Sequence, residues 1–209
     1  MQIQTTQRRH QPNFTALHIA NAGALKLIKI TDIADKKYLK ELPDKINIKE
    51  LMPNLTNDEA NRWNEMLEYA VARAQKNNNT YIETINDKIC GIITYSLGKN
   101  SKLDCICTWP VEIGKKVKLA GKTLFYQMFK DFQAQGGKKL ELEAITNGPV
   151  DTVKKYEELG FQKNSNVFAT KRGMETNIYK VKDTLKKLNE IIDYETIEPE
   201  KINLNNLEA

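Results

Sequence analysis

The sequence predicts an α/β (α+β) domain with a mixed, mostly antiparallel central sheet flanked by helices. Three observations carry that expectation. Residues 81–109 hold strand-like runs rich in β-branched and aromatic residues, separated by turns at 86–88 and 98–101, as a meander requires. On either side, residues 57–76 and 119–135 repeat apolar side chains at helical spacing. After the second helix, the run KLELEAI alternates as a strand and is followed by a further short helix, so strands and helices interleave in the C-terminal half.

Each element has a local reason. Residues 1–22 show no sustained period and read as a flexible N-terminal arm. LKLIKI, residues 25–30, alternates as a half-buried first strand, and residues 35–42 make a short helix that Pro43 ends. Thr56 and Glu59 form a capping box that opens the next helix, whose face carries Ala60, Trp63, Leu67, Ala70, Val71 and Ala74. The hairpin turn at Asn86-Asp87-Lys88 joins the first two meander strands, and Pro110 interrupts the third because proline cannot donate to a ladder. Leu124, Phe125, Met128, Phe129 and Phe132 give the following helix one apolar stripe, which Gly136-Gly137 closes. Gly148-Pro149 opens a helix bearing Val153, Tyr156 and Leu159, and Gly160 stops it. Residues 167–171 and 177–181 are expected as two last strands. Residues 183–209 are expected as a helix capped by Asp183 and a disordered acidic tail, which leaves 23–182 as the domain.

Composition excludes several classes. No apolar run reaches the ~18 residues a membrane span needs, and no signal-peptide core is present, so a cytoplasmic protein is expected. Cys90, Cys105 and Cys107 lie in apolar strand-like runs and are odd in number, which fits core packing. His10 and His18 lie far from them, so no metal site is expected. The net charge of +5 permits an anionic ligand without demanding nucleic acid.

The chemistry-bearing stretch is VEIGKKVKLAGKTLF, residues 111–125, where four lysines crowd the approach to a helix that begins near a glycine. A helix N-terminus offers unpaired N–H groups and the positive end of its dipole, so the stretch reads as a phosphate cradle. Gly121 would admit the backbone close to the ligand, with Lys115, Lys116, Lys118 and Lys122 around the mouth.

The order of elements, this basic glycine turn, and the run from KLELEAITN to Tyr156-Glu157-Glu158-Leu159-Gly160-Phe161 resemble the GNAT superfamily of acetyl-CoA-dependent N-acetyltransferases over roughly residues 25–181. The resemblance implies a splayed fourth strand at 109–113, whose backbone at Val111 and Ile113 pairs with the pantetheine of acetyl-CoA, the co-substrate. It implies that Lys116, Val117, Lys118, Leu119, Ala120, Gly121 and Lys122 hold the pyrophosphate, with Leu119 standing where the family has its first glycine. It places Asn147 at the cofactor, with a spacing to Tyr156 about two residues longer than the family's, and Tyr156 as the acid that protonates the departing thiolate. Glu112, and also Asp104, are implied candidates for the base, while Glu141 and Glu143 are candidates to meet a cationic acceptor. The partner implied is an amine-bearing acceptor, with no membrane, and the protein is a monomer or homodimer. Two other classes stand beside this one. A catalytically silent GNAT-fold module would bind coenzyme A or a protein, and a basic domain would use Arg8, Arg9 and the lysine cluster on nucleic acid.

Overall fold

The computed structural model of the chain describes residues 16–76, 79–99, 101–145, 152–164 and 172–208. Its strands are β1 (Ala16–Ala22), β2 (Leu25–Ile30), β3 (Asn79–Ile85), β4 (Lys88–Ser96), β5 (Ser101–Thr108), β6 (Lys139–Glu143), β7 (Gln162–Lys163), β8 (Gly173–Asn177) and β9 (Tyr194–Ile202). The helices are α1 (Ile33–Leu39), α2 (Leu42–Lys45), α3 (Ile48–Leu51), α4 (Asn57–Ala74), α5 (Ala120–Ala134), α6 (Thr152–Glu158) and α7 (Ile178–Asn189). The strands form one sheet in the order β7-β8-β6-β5-β4-β3-β2-β1-β9. Every described pairing in it is antiparallel except β5 with β6.

That one parallel pairing divides the sheet. β5 and β6 share only the register Ser101↔Leu140 and Lys102↔Glu141. Beyond it β5 follows β4 as far as Thr108↔Gly91, while β6 follows β8 through Leu142↔Met174 and Glu143↔Gly173. Two wings therefore open from a common root. The splay starts after Lys102, which corrects the expected position at 109–113 and its attribution to Pro110. Trp109 still donates its N–H to the Cys90 carbonyl at 2.9 Å, and Pro110 merely ends the strand.

Neighbouring residues of the central strands enter opposite cores, as a two-residue period demands. Tyr81 and Ile93 join α5 and α7 on one face, with Leu124, Phe125, Phe129, Phe132, Val181 and Leu188. Ile82 and Ile92 join α1 to α4 on the other, with Leu39, Leu42, Ile48, Leu67 and Ala70. The cysteines divide likewise, Cys90 on the α5 face and Cys105 and Cys107 on the α4 face, all buried thiols. The Thr56–Glu59 capping box is present in both directions, at 3.3 Å to the Glu59 N–H and 2.8 Å from the Thr56 N–H. Asn86 and Asp87 both take positive φ, 52° and 60°, the backbone of a two-residue hairpin turn.

Five expectations at the ends of elements are corrected. Residues 16–22 leave the expected arm to form β1, whose Ala16, His18, Ala20 and Ala22 are buried. The tail from Tyr194 is not disordered, because β9 pairs with β1 and Leu204 beyond it is fully buried in the α4-side core. Residues 178–181 are the start of α7 and not a strand, since Asn177 Oδ1 accepts from the N–H groups of Tyr179 and Lys180 at 3.0 and 3.1 Å and nucleates the helix there. Asp183 lies inside that helix. Pro43 stands in the first turn of α2 and does not end α1, which Asp32 caps by a box with Asp35. The expected strand at 167–171 lies outside the described residues. Among the described residues no helix is long and apolar enough to cross a membrane.

Candidate functional site at the sheet divide

The mouth of the divide is built by the chain that leaves β5. Between Glu112 and Lys115 it makes a tight turn closed by the Lys115 N–H to the Glu112 carbonyl at 3.0 Å, with Gly114 at φ 69°. The Gly114 N–H donates to the Leu51 carbonyl at 2.9 Å and so ties this turn to α3. Glu112 thus lies on a turn outside the sheet, correcting its expected place on the splayed strand. Lys115 pairs with it across the turn and holds its exposed carboxylate below the usual range. Ile113 is exposed, and Val111 packs against the α5-side core.

The chain enters α5 through Leu119, which takes a left-handed conformation at φ 67° and ψ −8°. The Thr123 N–H bonds back to the Leu119 carbonyl at 2.9 Å as the first turn closes. No side chain caps the helix, so the N–H groups of Ala120, Gly121 and Lys122 meet no acceptor of the helix itself and point out of its end. Three such donors together with the helix dipole favour an anion at this end, which makes it the candidate cradle. Lys116, Lys118 and Lys122 are exposed around it, and none of them enters an ion pair among the described residues. Gly121 itself is relaxed, and a Cβ built on it would find only Thr108 Cγ2, at 3.9 Å. The left-handed position in this turn is therefore residue 119, where a leucine stands in a conformation that glycine suits better.

On the opposite wing, Tyr156 of α6 packs edge-on against Phe125 of α5, with ring centroids 5.8 Å apart, and against Phe161 at 6.1 Å. Burial, then the nearby Cys105 thiol of β5, pushes its pKa up to about 12. The phenol is thus neutral and lies within electrostatic reach of the strand across the divide. Among the described residues nothing hydrogen-bonds to its hydroxyl. The structure brings Tyr156, the helix that carries the cradle and β5 to one place.

The remaining sequence candidates fall elsewhere. Asp104 has a side chain only 2% exposed and forms an ion pair with Arg73 of α4. Glu141 pairs with Lys139, which Glu175 also contacts at 2.8 Å, as a surface group on β6 and β8. Glu143 is exposed at the end of β6, and Asn147 lies outside the described residues. Sequence reasoning missed Glu83, a fully buried glutamate on β3, and Gly91, its partner on β4. A carboxylate inside the run NTYIETI, on the same strand face as Tyr81, was the available signal.

Neither a protein-family model nor a curated protein sequence matches this chain. Solved structures do. The catalytic domain of the Tetrahymena GCN5 histone acetyltransferase, in complex with coenzyme A, superposes with a TM-score of 0.51 at 17% identity, covering 76% of this chain and 95% of that one. A nucleotide-linked sugar GNAT, FdhC in its apo form, gives a TM-score of 0.51 at 14% identity, covering 85% of this chain and 97% of that one. Identities this low speak to architecture alone. The chain has the fold of the GNAT acetyltransferases.

Proposed function

We propose that the protein is an N-acetyltransferase that moves an acetyl group from acetyl-CoA to a primary amine by direct transfer. The observation that carries this reading is the divide itself: β5 and β6 part after Lys102 and Glu141, α5 presents its uncapped N-terminus at the mouth, and Tyr156 stands on the far wing. In this reading the pyrophosphate sits on the amides of Ala120, Gly121 and Lys122 with Lys116, Val117, Lys118 and Leu119 beside it. The pantetheine runs into the divide past Val111 and Ile113, and Asn147 adds a polar contact. The amine nitrogen attacks the thioester carbonyl, the tetrahedral adduct collapses with cleavage of the C–S bond, and Tyr156 gives its proton to the leaving thiolate. Glu112 is neutralised by Lys115 and Asp104 by Arg73, so the proton lost by the amine passes to water.

The test is a thermal shift with acetyl-CoA, since a ligand at ~100 times its dissociation constant stabilises the folded state by about 2.7 kcal/mol. Gly121→Glu provides the control, because a Cβ at 121 meets only Thr108 Cγ2, at 3.9 Å, and the carboxylate beyond it would compete for the cradle. A shift in the parent chain and none in the variant supports the reading. No shift in either removes it. A shift without thiol release against a panel of amines identifies a coenzyme A-binding module that does not turn over.

A further inference from the structure

Glu83 is the one buried carboxylate on the α5 face of the central strands among the described residues, and the register explains where it goes. Glu83 of β3 pairs with Gly91 of β4, and Gly91 pairs with Thr108 of β5, so the three lie in one row across the sheet. Cross-strand partners project to the same side. A Cβ on Gly91 would stand 3.1 Å from Leu124 Cδ1 of α5 and 3.2 Å from Thr108 Cγ2, so that side is the one beneath the start of α5. The missing side chain at Gly91 lets Leu124 and Thr108 close over this row. Beside it the Glu83 carboxyl faces Thr123, in the first turn of α5.

Both carboxyl oxygens and the Thr123 hydroxyl are fully buried and complete no hydrogen bond of good geometry. No cation approaches Glu83 among the described residues. From β4 its titratable neighbour is the Cys90 thiol, kept neutral by burial; β2 contributes Leu27 and α5 the Thr123 hydroxyl. An unpaired charge in such a place is costly, and burial accordingly raises the Glu83 pKa well above the ordinary carboxylate range. A neutral carboxyl leaves the positive end of α5 to a ligand outside. An ionised one would draw Thr123 and the end of the helix inward and set a negative charge behind the anion cradle.

We infer that Glu83 is a positioning residue for the first turn of α5, acting through Thr123 where Gly91 lets the helix pack close on the sheet, and that binding of coenzyme A at the cradle requires its carboxyl to be protonated. The second half rests on the acetyltransferase reading; the first half does not. Affinity should then be highest at low pH and decline as pH rises through the Glu83 titration in the free protein.

Two measurements on the full chain separate these halves. In ligand-free protein, the amide resonances of Ala120, Gly121 and Lys122 should move together as pH rises above the ordinary carboxylate range and Glu83 titrates, and should stay still in Glu83→Gln. Thr123→Val, which keeps the carboxyl but removes the hydroxyl, should also suppress the movement and serves if Glu83→Gln fails to fold. Calorimetric titration with coenzyme A over the same range should show the parent chain losing ~10-fold more affinity than Glu83→Gln, the difference cancelling the titration of the lysines and of the ligand. Still amides in the parent chain overturn the positioning role. Moving amides with equal pH profiles in parent and variant overturn the coupling alone. Moving amides with no coenzyme A binding in either protein uphold the positioning role and sink both the coupling and the acetyltransferase reading.

Discussion

The Tyr156 hydroxyl of α6 and the Cys105 thiol of β5 lie within electrostatic reach of each other although the strands that lead to them have already parted. Both groups are pushed up to about 12, so neither ionises near neutral pH, and the phenol holds its proton throughout the physiological range. Tyr156→Phe keeps the ring against Phe125 and Phe161 and removes only the hydroxyl. In the proposed mechanism kcat should fall by ~10²-fold or more while acetyl-CoA affinity hardly changes. Steady-state kinetics on an acceptor found by screening, beside calorimetric binding, checks the separation; full activity in the variant removes Tyr156 from the acid role.

The same residue predicts an alkaline limit. A tyrosine whose folded pKa of about 12 exceeds its unfolded value near 10 holds its proton more tightly in the native state. Its contribution is constant below about pH 10 and is lost progressively as pH rises from there to about 12. Buried Tyr81 and Tyr95 shift in the same direction, both donating to Asp131 Oδ2 at 2.7 and 2.6 Å, and steepen the decline. Denaturant midpoints measured from neutral to strongly alkaline pH should fall more gently in Tyr156→Phe than in the parent chain.

Leu119 carries the clearest backbone strain in the cradle. A left-handed non-glycine residue costs about 1–2 kcal/mol, and glycine gives back about 0.5–1 kcal/mol through the entropy of the unfolded chain. The leucine side chain is 37% exposed, so its packing contribution is modest. Leu119→Gly should therefore stabilise the fold by roughly 0.5–1 kcal/mol, a rise of about 1–4 °C in Tm for a chain of this size. A fall in Tm would show that Leu119 is held by contacts worth more than its strain.

Much of the fold was legible where the cause is local. The capping box at Thr56 and Glu59, the turn at Asn86 and Asp87, and the aromatic stripe of α5 each need only neighbours in sequence, and each is found where the pattern puts it. What failed depends on distant partners. β1 and β9 become strands by pairing with each other from opposite ends of the chain, and neither ALHIANA nor YETIEPEKI carries a strong alternation of its own. The site divides the same way. The basic turn into α5 could be read from Lys116 to Lys122, because a helix start and its charge are local. The left-handed state of Leu119 could not, and neither could the role of Glu83, which exists only because Gly91 lies opposite on another strand. Glu112 was misplaced because nothing in its own neighbourhood reveals that Gly114 is bound to Leu51, some sixty residues earlier.

The pair Arg73–Asp104 fastens α4 to β5 beside the divide. Asp104 is nearly fully buried, whereas the Arg73 side chain is 33% exposed. Removing the arginine takes its cation away from a buried carboxylate, which costs 3–5 kcal/mol for a fully buried pair and about 2 kcal/mol here, where water reaches one partner. Arg73→Ala should lower the denaturant midpoint by that amount, and Arg73→Met combined with Asp104→Leu should recover most of it. A double variant as unstable as the single one would show that Arg73 acts through its packed stem and not through its charge.

The C-terminal segment is the part of the chain whose importance the sequence hides most. β9 pairs with β1 along Ala16↔Ile202 to Ala22↔Tyr194, and Leu204 after it is fully buried against the α4-side core. The chain then reaches the β3–β4 turn, where the Glu208 N–H donates to the Asp87 carbonyl at 2.9 Å and the Ile89 N–H donates to the Glu208 carbonyl at 2.8 Å. Tyr38 of α1 donates to the Leu207 carbonyl at 3.2 Å, so three distant elements are tied by one short stretch. A truncation after Asp193 removes the ladder to β1, leaves β1 as an uncovered edge and opens a cavity where Leu204 sat. Burying one leucine is worth about 2–3 kcal/mol and the cavity adds to its loss, so the truncated chain should be destabilised by well over ~3 kcal/mol and prone to edge pairing. Leu204→Ala isolates the packing part and should cost about 2–4 kcal/mol on its own. A truncated protein that melts with the parent Tm and stays monomeric would show that β9 and the segment after it are a loose attachment and not part of the fold.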